Sequence, residues 1–291
     1  MTNQLFYWAG HHNLGDELSL YIVQKISGQV FDYCPPPFKS KTLIAVGSLL
    51  SAETLSRNAL IWGTGTLTTK SLYKRCNRGH FRLFPLNRSI DYIKEKLRKT
   101  EQPDIRAVRG PRTQALLQNL GFACPSVFGD PAILMPRLYT PHTLNKKINI
   151  GLILHHSQEL STDFQEQLLS YGIQTISILR SNFAEIENFI DEISSCNLIF
   201  STSLHGIIIA QAYGIPAQWI RLHNRPIHTD DWHKFEDYFL GAGQIVQKAL
   251  EIKLDKTCIK TILNASVPDI LPFRTSDQLL EAFPKDSLHI A

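Results

Sequence analysis

The chain has 291 residues, of which 43% are hydrophobic and 19% are charged, and its formal net charge is +4. This composition is typical of a globular protein with a sizeable core, and it excludes an intrinsically disordered chain. The length suits two domains of roughly 140 residues each.

No run of about 18 apolar residues is present, so the sequence predicts no membrane-spanning helix. The first residues carry neither a basic segment nor a long apolar stretch, which argues against a secretory signal and favours the cytoplasm. The five cysteines lie far apart and form no C-x-x-C pair or Cys/His cluster. We therefore expect reduced thiols and no metal site.

The segment from Lys70 to Arg112 is strongly basic. It contains thirteen Lys or Arg residues against four acids, at positions 91, 95, 101 and 104. Such a segment favours an anionic partner, such as a lipid or diphosphate group, although a solvated helix face would have the same composition. We expect no nucleic-acid partner.

In the first half, short apolar runs alternate with helix and turn signals. Predicted strands or apolar runs occupy residues 5–9, 42–46, 59–62 and 105–108. Predicted helices run from Asn13 or Asp16 to Ser27 and from Pro111 to Leu120, with Gly28 and Gly121 as their stops.

The second half repeats this pattern. Strands are predicted at 148–154, 173–178, 198–200 and 217–220, and helices at 158–170, 183–194 and 206–213. Strands that alternate with helices predict parallel sheets covered by helices on both faces. We expect an α/β fold of two Rossmann-like domains, residues 1–140 and 141–291. The chain after about residue 230 is expected to be helical and to fold back across the second domain.

In open parallel sheets, ligands bind beyond the carboxyl ends of the strands. The unusual residues of this sequence gather at those ends, where glycines allow close backbone approach and helix starts favour anions. They are Asn13, Gly15, Asp16, Gly47, Ser48, Gly63, Thr64, Gly65, Arg109, Asp130, His156, Ser203, His205 and Gly206. Neither a G-x-G-x-x-G dinucleotide fingerprint nor a G-x-x-x-x-G-K-[ST] loop is present.

Two histidines are candidate acid/base residues. His205 precedes Gly206 at a strand-to-helix junction, where its imidazole could act on a ligand held by the helix N-terminus. His156 ends a strongly apolar strand, where a buried polar group is costly unless it is used or satisfied. Asp130 either accepts a hydrogen bond from a sugar hydroxyl or forms a turn, and Asp16 either caps its helix or acts as a base.

Arg109 is a candidate anion-binding residue. It ends a strand, precedes a helix that begins with proline, and carries a planar fork that binds phosphate or carboxylate. Arg112 lies one helical step further on and is either a second anion contact or a surface charge.

Together these segments resemble the polysaccharide pyruvyl transferase family in order and spacing, over roughly residues 10 to 220. The matching segments are Asn13-Leu14-Gly15-Asp16, Gly47-Ser48, Trp62-Gly63-Thr64-Gly65, Val108-Arg109-Gly110-Pro111-Arg112-Thr113, Gly129-Asp130-Pro131-Ala132 and Ser203-Leu204-His205-Gly206, followed by Ala210 and Gly214-Ile215-Pro216.

The resemblance implies transfer of pyruvate from phosphoenolpyruvate, a co-substrate, to two hydroxyls of a sugar as a cyclic ketal, with no other cofactor. It also implies a GT-B-like arrangement with the site in a cleft between the domains. Arg109 and the helix starts after Gly110 and His205 would bind the donor, and His205 or His156 would transfer protons. The expected acceptor is a lipid-linked oligosaccharide of exopolysaccharide or capsule biosynthesis, at the inner face of the membrane.

The sequence departs from the family at one position. Many members carry an arginine two residues before the histidine of H-G, where this chain has Ser203. Serine cannot supply that positive charge, so Arg109, Arg112 or Arg221, which follows a second-domain strand, would supply it. Two other functions stay open: a glycosyltransferase that uses a nucleotide sugar, and a non-catalytic member that binds a glycan.

Overall fold

The computed structural model describes residues 2–10, 12–72, 102–142, 148–223, 227, 230 and 232–288. Within these residues, two five-stranded sheets are built from parallel neighbours, which confirms the α/β class with two Rossmann-like sheets. The GT-B-like arrangement and the division at residue 140 stay predictions. Most of the predicted basic segment falls on residues 73–101, outside the described part. None of the helices seen in the described ranges is long and apolar enough to cross a membrane.

The first sheet is built from the amino-terminal half of the chain. Its strands are β1 (Asn3–Phe6), β2 (Phe31–Tyr33), β3 (Thr42–Ile44), β4 (Ala59–Trp62) and β5 (Asp104–Ala107), in the order β2-β1-β3-β4-β5. Helix α1 (Leu14–Ser27) connects β1 to β2, and β5 is followed by α2 (Pro111–Asn119) and a 3₁₀ helix (Pro131–Arg137).

The second sheet has the order β10-β9-β8-β6-β7. Its strands are β6 (Ile148–Ile153), β7 (Ile173–Ile176), β8 (Cys196–Ser201), β9 (Ala217–Leu222) and β10 (Leu250–Ile252). The helices of this half are α3 (Thr162–Ser170), α4 (Phe183–Ser194), α5 (Leu204–Ala212), α6 (Trp232–Gly241), α7 (Lys256–Leu263) and α8 (Ser276–Glu281), with a last 3₁₀ turn at Lys285–Ser287.

Capping signals set helix ends where the sequence predicts them. Helix α1 ends at Gly28, whose φ of 68° is left-handed and whose N–H donates to the Gln24 carbonyl. Helix α4 has its predicted range because the Asn182 side chain accepts a hydrogen bond from the Glu185 N–H at 3.0 Å.

Some predicted boundaries were wrong. The edge strands β2 and β10 were not predicted, because these short strands are partly exposed and form no apolar run, unlike the equally short but fully buried β3. Helix α3 begins at Thr162, since the Ser161 side chain caps it there. Helix α5 begins at Leu204, which places His205 inside its first turn.

One continuous apolar core joins the two halves. It combines residues of α1, such as Leu18 and Tyr21, with residues of α4 and α5, such as Phe189 and Ile208. Two further clusters contain Ile61 of the first sheet and Phe200 of the second. The elements that border the candidate site are therefore packed between the two sheets.

The chain after residue 230 packs on both halves of the protein, so the prediction that it folds back across the second domain holds for part of it. Phe235 of α6 stacks on Trp219, β10 joins the second sheet, and α7 packs in the apolar cluster of that sheet. Other parts of the segment contact the first half. Helix α6 packs on α2, and α8 packs on the 3₁₀ helix of residues 131–137. The Trp62 indole N–H donates to the Leu279 carbonyl at 2.8 Å, and its ring meets Phe283 edge-on at 4.8 Å.

Candidate active site

The amino-terminal end of α1 is bonded directly to the second half of the chain. The Leu14 N–H donates to the Ile178 carbonyl at 2.9 Å, and the Arg180 N–H donates to the His12 carbonyl at 2.7 Å. Asn13 is the N-cap of α1, and its side chain accepts a long 3.4 Å hydrogen bond from the Gly15 N–H. The predicted N-x-G-D segment is thus placed at the junction of the two halves.

The His205 side chain lies against this segment. A Cβ atom built on Gly15 would lie 2.2 Å from His205 Nδ1 and 2.5 Å from its Cε1. Only glycine leaves room for the imidazole at that position, because real Cβ atoms do not approach other atoms so closely. The structure thus brings together two predicted residues that are far apart in the sequence.

Asp130 lies on another side of the His205 ring. Its Oδ2 atom is 3.6 Å from His205 Nε2, and its Oδ1 atom accepts a hydrogen bond from the Ala132 N–H at 3.1 Å. Neither Oδ2 nor Nε2 makes a hydrogen bond to a described residue, although both atoms are buried. Unsatisfied buried polar atoms are rare in native proteins, and this facing pair marks a functional position.

Asp16 contributes a third titratable group, next to Gly15 in α1. Burial raises the pKa of the Asp16 carboxyl to about 7, while the charge of His205 lowers it and that of Glu17 raises it further. A carboxyl group with this pKa holds and releases a proton near neutral pH, as acid/base catalysis requires.

The Ser203-Leu204-His205-Gly206 segment is fixed by the end of β8. The Ser201 hydroxyl accepts a hydrogen bond from the Ser203 N–H and donates one to the Ser203 carbonyl, both at 2.9 Å. A Cβ on Gly206 would lie 2.5 Å from the Ser201 Oγ, so this close approach needs glycine. Ser203 is buried at the N-cap of α5 but makes no side-chain capping bond.

Arg109 occupies a different position from the one expected. Its side chain is 0% exposed, and its Nε atom donates to the Asp237 carboxylate at 3.1 Å. Its other nitrogens donate to the Ser48 hydroxyl and the Thr66 carbonyl, each at 2.6 Å. The structure gives no support to a direct contact between Arg109 and a donor, because the guanidinium is inaccessible and already paired.

Asp237 joins helix α6 to the first half of the chain. It accepts hydrogen bonds from the Thr113 N–H at 3.0 Å and from the Thr113 hydroxyl at 2.6 Å, at the start of α2. A Cβ on Gly110 would lie 1.9 Å from the Asp237 carbonyl oxygen. The Arg109-Gly110-Pro111 segment therefore serves to dock α6, a role that the sequence did not reveal.

The two other arginines that were expected to replace the missing charge also have carboxylate partners. Arg112 pairs with Glu236 and lies over the Trp232 ring, and Arg221 pairs with Glu251 of the neighbouring strand at 3.3 Å. The structure therefore offers no direct support for Arg112 or Arg221 as a free donor-binding cation.

The two glycine loops are bonded to each other. The Thr64 hydroxyl donates to the Gly47 carbonyl at 2.9 Å, and the Gly65 N–H donates to the same carbonyl at 3.0 Å. Gly63 has a φ of 84° and packs on Pro131, where a Cβ would lie 2.4 Å from the proline Cδ. These loops support the Gly129-Asp130-Pro131 turn and, through Ser48 and Gly65, the buried Arg109.

His156 is half-buried beyond the end of β6, and its ring lies 4.0 Å from that of His155. The neighbouring Thr202 hydroxyl accepts a hydrogen bond from the His155 N–H at 2.8 Å. His156 is therefore placed at the carboxyl edge of the second sheet, close in the fold to the β8–α5 loop. Its role stays a prediction.

Residues of α6 complete the surroundings of the site. Tyr238 is fully buried next to Asp130, and its hydroxyl donates to Gln211 at 2.8 Å. His233 is also buried, and its Nε2 is 2.8 Å from the Thr66 hydroxyl. Burial lowers the pKa of His233. The described residues include no group of three or more His, Cys, Asp or Glu side chains placed to hold a metal ion.

The model of one protein family, the polysaccharide pyruvyl transferases, matches residues 13–224. The chain belongs to this family. All of the segments that meet around His205 lie within the matched range, so the polysaccharide pyruvyl transferase residues of this chain converge on one place.

Two curated proteins are similar to this chain. An uncharacterized protein of Acanthamoeba polyphaga mimivirus is 25% identical over 94% of this chain and 84% of its own length. The succinoglycan biosynthesis protein ExoV of Rhizobium meliloti is 24% identical over 82% of this chain, which spans 64% of the ExoV length. Among solved structures, an uncharacterized Klebsiella pneumoniae protein superposes with a TM-score of 0.47 and 11% identity, covering 87% of this chain and 93% of that one.

Proposed function

We propose that this chain transfers pyruvate from phosphoenolpyruvate to two hydroxyls of a sugar during surface-polysaccharide biosynthesis. The observation that carries the proposal is the convergence of Gly15, Asp16, Asp130 and His205 at the junction of the two halves. Membership of the family and the similarity to a succinoglycan biosynthesis protein support it.

The proposed reaction needs several proton transfers near neutral pH. A sugar hydroxyl loses its proton and its oxygen bonds to C2 of phosphoenolpyruvate, while C3 gains a proton and becomes a methyl group. The oxygen of a second hydroxyl then bonds to C2 as that hydroxyl loses its proton, and the bond between C2 and the phosphate oxygen breaks. Inorganic phosphate leaves with this proton as the cyclic ketal closes. His205 serves as the acid/base residue and Asp130 positions its ring. Asp16 provides another acid/base group, because burial raises the pKa of its carboxyl to about 7.

Donor binding rests on helix starts rather than on Arg109. The first turn of α5 has no side-chain cap from Ser203, so its N–H groups can hold an anion next to His205. The donor carries a phosphate and a carboxylate, both of which suit such a position. We propose no metal and no cofactor besides phosphoenolpyruvate as co-substrate.

A second function is favoured by one observation. Ser203 stands where many family members have an arginine, and Arg109, Arg112 and Arg221 are all paired with carboxylates. Serine leaves more room than arginine, which suits the larger donor of a nucleotide-sugar glycosyltransferase. The loss of the positive charge also suits a non-catalytic glycan-binding protein.

The acceptor and the location complete the proposal. A sugar on a polyprenyl diphosphate carrier would bring the reaction to the inner face of the cytoplasmic membrane. The basic segment from Lys70 to Arg112, apart from the buried Arg109 and the carboxylate-paired Arg106 and Arg112, would then bind anionic lipid or diphosphate. Each of its other charges would contribute about 1 kcal/mol near the surface.

A thermal-shift panel of the purified chain tests the donor. Phosphoenolpyruvate at about 100 times its Kd adds roughly 2.7 kcal/mol to the free energy of unfolding, which raises Tm by a few degrees. A shift with phosphoenolpyruvate alone supports pyruvyl transfer. A shift with a nucleotide sugar alone replaces it with glycosyl transfer, and no shift with either favours the non-catalytic function.

Turnover is tested by phosphate release from phosphoenolpyruvate in the presence of pyranoside acceptors. His205→Ala should lower kcat by about 10²–10⁴-fold, the usual range for an acid/base residue. An unchanged kcat in the folded variant would remove His205 from the mechanism.

A further inference from the structure

Large aromatic side chains lie exposed at the carboxyl end of the first sheet. Trp8, which follows β1, is 57% exposed, and Tyr33, at the end of β2, is 45% exposed. By contrast, Trp62 and Trp219 are buried. The strands that carry these two residues are neighbours in the sheet, since Leu5 of β1 pairs with Tyr33 of β2. Two exposed aromatic residues at the ends of neighbouring strands, on the edge of a sheet where ligands bind, are a candidate contact surface.

The aromatic residues beneath this surface are held by one another. Tyr7 meets Tyr33 edge-on with ring centroids 5.1 Å apart, and Phe6 lies 6.5 Å from Tyr33 and 5.8 Å from Phe38. Edge-on and tilted ring pairs of this kind fix the orientation of the rings. Tyr33 is thus supported from the core side while part of its ring faces solvent.

Trp8 is supported by its own loop. A Cβ on Gly10 would lie 2.9 Å from the Trp8 indole nitrogen, so the ring packs on the Gly10 backbone. More than half of the Trp8 side chain is exposed, and a ring held in this way loses little conformational freedom on binding.

The same loop leads into the candidate active site. It connects β1 to α1, whose first turn holds Asp16 and Glu17. The Glu17 carboxylate lies 3.1 Å from His12 Nδ1 and accepts a hydrogen bond from it when that nitrogen carries its proton. Burial raises the pKa of the Tyr7 hydroxyl, and the charge of Glu17 raises it further. The aromatic surface is therefore bordered by a carboxylate and an imidazole on the side of α1.

We propose that Trp8 and Tyr33 form a stacking platform for a pyranose ring of the acceptor saccharide. The apolar C–H face of a pyranose packs on an aromatic ring, and its hydroxyls bind groups such as the Glu17 carboxylate and the His12 imidazole. The Glu17 carboxylate at the border argues against an anionic lipid surface as the occupant, because such a surface is bound by Lys or Arg side chains. The proposal rests on the proposed function in taking the acceptor to be a saccharide.

Direct saccharide binding tests the platform without requiring turnover. Gluco-, galacto- and manno-configured tetrasaccharides are titrated at millimolar concentrations while tryptophan fluorescence is recorded. At least one of them should bind with a change in emission. Trp8→Phe should keep binding, seen by calorimetry, but lose that change, since it removes this one of the four tryptophans and retains a ring.

Trp8→Ala should weaken binding about tenfold, because it removes the ring itself. Tyr171→Ala is the matched control. Tyr171 is 53% exposed at the C-cap of α3, just before β7 of the second sheet. Its loss should leave saccharide binding unchanged.

Three outcomes would overturn the platform: no tetrasaccharide binds, Trp8→Ala binds as the wild type does, or Trp8→Ala alters only the oligomeric state. The phosphoenolpyruvate-induced thermal shift should be the same in Trp8→Ala and in wild type. If phosphoenolpyruvate shifts neither the wild type nor Trp8→Ala, the proposed donor is rejected. The platform is then tested by saccharide binding alone.

Discussion

The imidazole of His205 rests on the backbone of Gly15, so closely that no side chain larger than hydrogen fits between them. The glycine of one motif thus sets the position of the histidine of another, from the opposite half of the chain. Because this contact is so close, a substitution at Gly15 can displace the His205 imidazole without changing His205 itself.

Gly15→Ala should lower kcat about 10²-fold, because its Cβ would push the His205 ring away and a displacement of about 1 Å costs about that much. Gly28→Ala, at the C-cap of the same helix, is the control. Gly28 has open space but a φ of 68°, so alanine there should cost about 1 kcal/mol of stability and leave kcat unchanged. Phosphate release and thermal unfolding measure the two effects, and equal kcat values for both variants would contradict the prediction.

Asp130→Asn should separate the two roles of Asp130. The amide oxygen can still accept the hydrogen bond from the Ala132 N–H, so Tm should change little. The negative charge that faces His205 is lost, so kcat should fall by about 10²-fold or more. Asp255→Asn, at the exposed cap of α7, should leave kcat at the wild-type value. A normal kcat in Asp130→Asn would exclude Asp130 as a positioning residue.

Asp16 predicts a specific dependence of stability on pH. Its pKa is about 7 in the folded chain and close to 3.8 when unfolded, so between these values the folded state binds more protons. The free energy of unfolding should therefore fall as pH rises from about 4 to about 7.

Asp16→Asn should remove this loss. The variant should be more stable than wild type at pH 8, by on the order of a few kcal/mol, and the difference should shrink toward pH 4. Asp163→Asn, an exposed acid in the first turn of α3, should change stability by less than about 0.5 kcal/mol. Urea denaturation at several pH values provides the comparison, and a pH-independent difference between Asp16→Asn and wild type would argue against the raised pKa.

The Arg109–Asp237 pair should matter for stability more than for donor binding. Asp237→Ala leaves a buried guanidinium without its carboxylate, which typically costs about 3–5 kcal/mol. Glu236→Ala removes the neighbouring, partly exposed pair with Arg112 and should cost no more than about 1 kcal/mol.

Chemical denaturation compares the two variants, and Asp237→Asn, which keeps an acceptor for Thr113, should lie between them. Equal stabilities of Asp237→Ala and Glu236→Ala would show that the pair does not hold α6 in place. Arg109→Lys should likewise lower Tm and leave the donor KM near the wild-type value.

Local signals explain which parts of the fold could be predicted. Gly28 indicates the end of α1 and Asn182 the start of α4, because their conformational and capping preferences act within a few residues. The three-residue edge strands β2 and β10 could not be found in this way, since their pairing depends on a neighbour that lies elsewhere in the chain.

The candidate site shows the same division. Sequence patterns singled out Gly15, Asp130 and His205, but not that they meet. Arg109 was expected to bind an anion, and it does bind a carboxylate, that of Asp237, 128 positions away. No periodicity or motif reports a pairing over such a separation, so a strand-end arginine that binds a ligand and one that docks a helix have the same sequence signature.

The return of α8 and its following turn to the first half has a consequence for synthesis on the ribosome. Trp62 is covered by the Leu279 carbonyl and the Phe283 ring, which leave the ribosome more than two hundred residues later. Domains usually fold in order as they emerge. Here the apolar surface around Trp62 in the amino-terminal sheet stays uncovered until the carboxyl-terminal segment has been synthesised. A nascent chain stalled before residue 276 should therefore expose this surface to chaperones, whereas the released chain covers it.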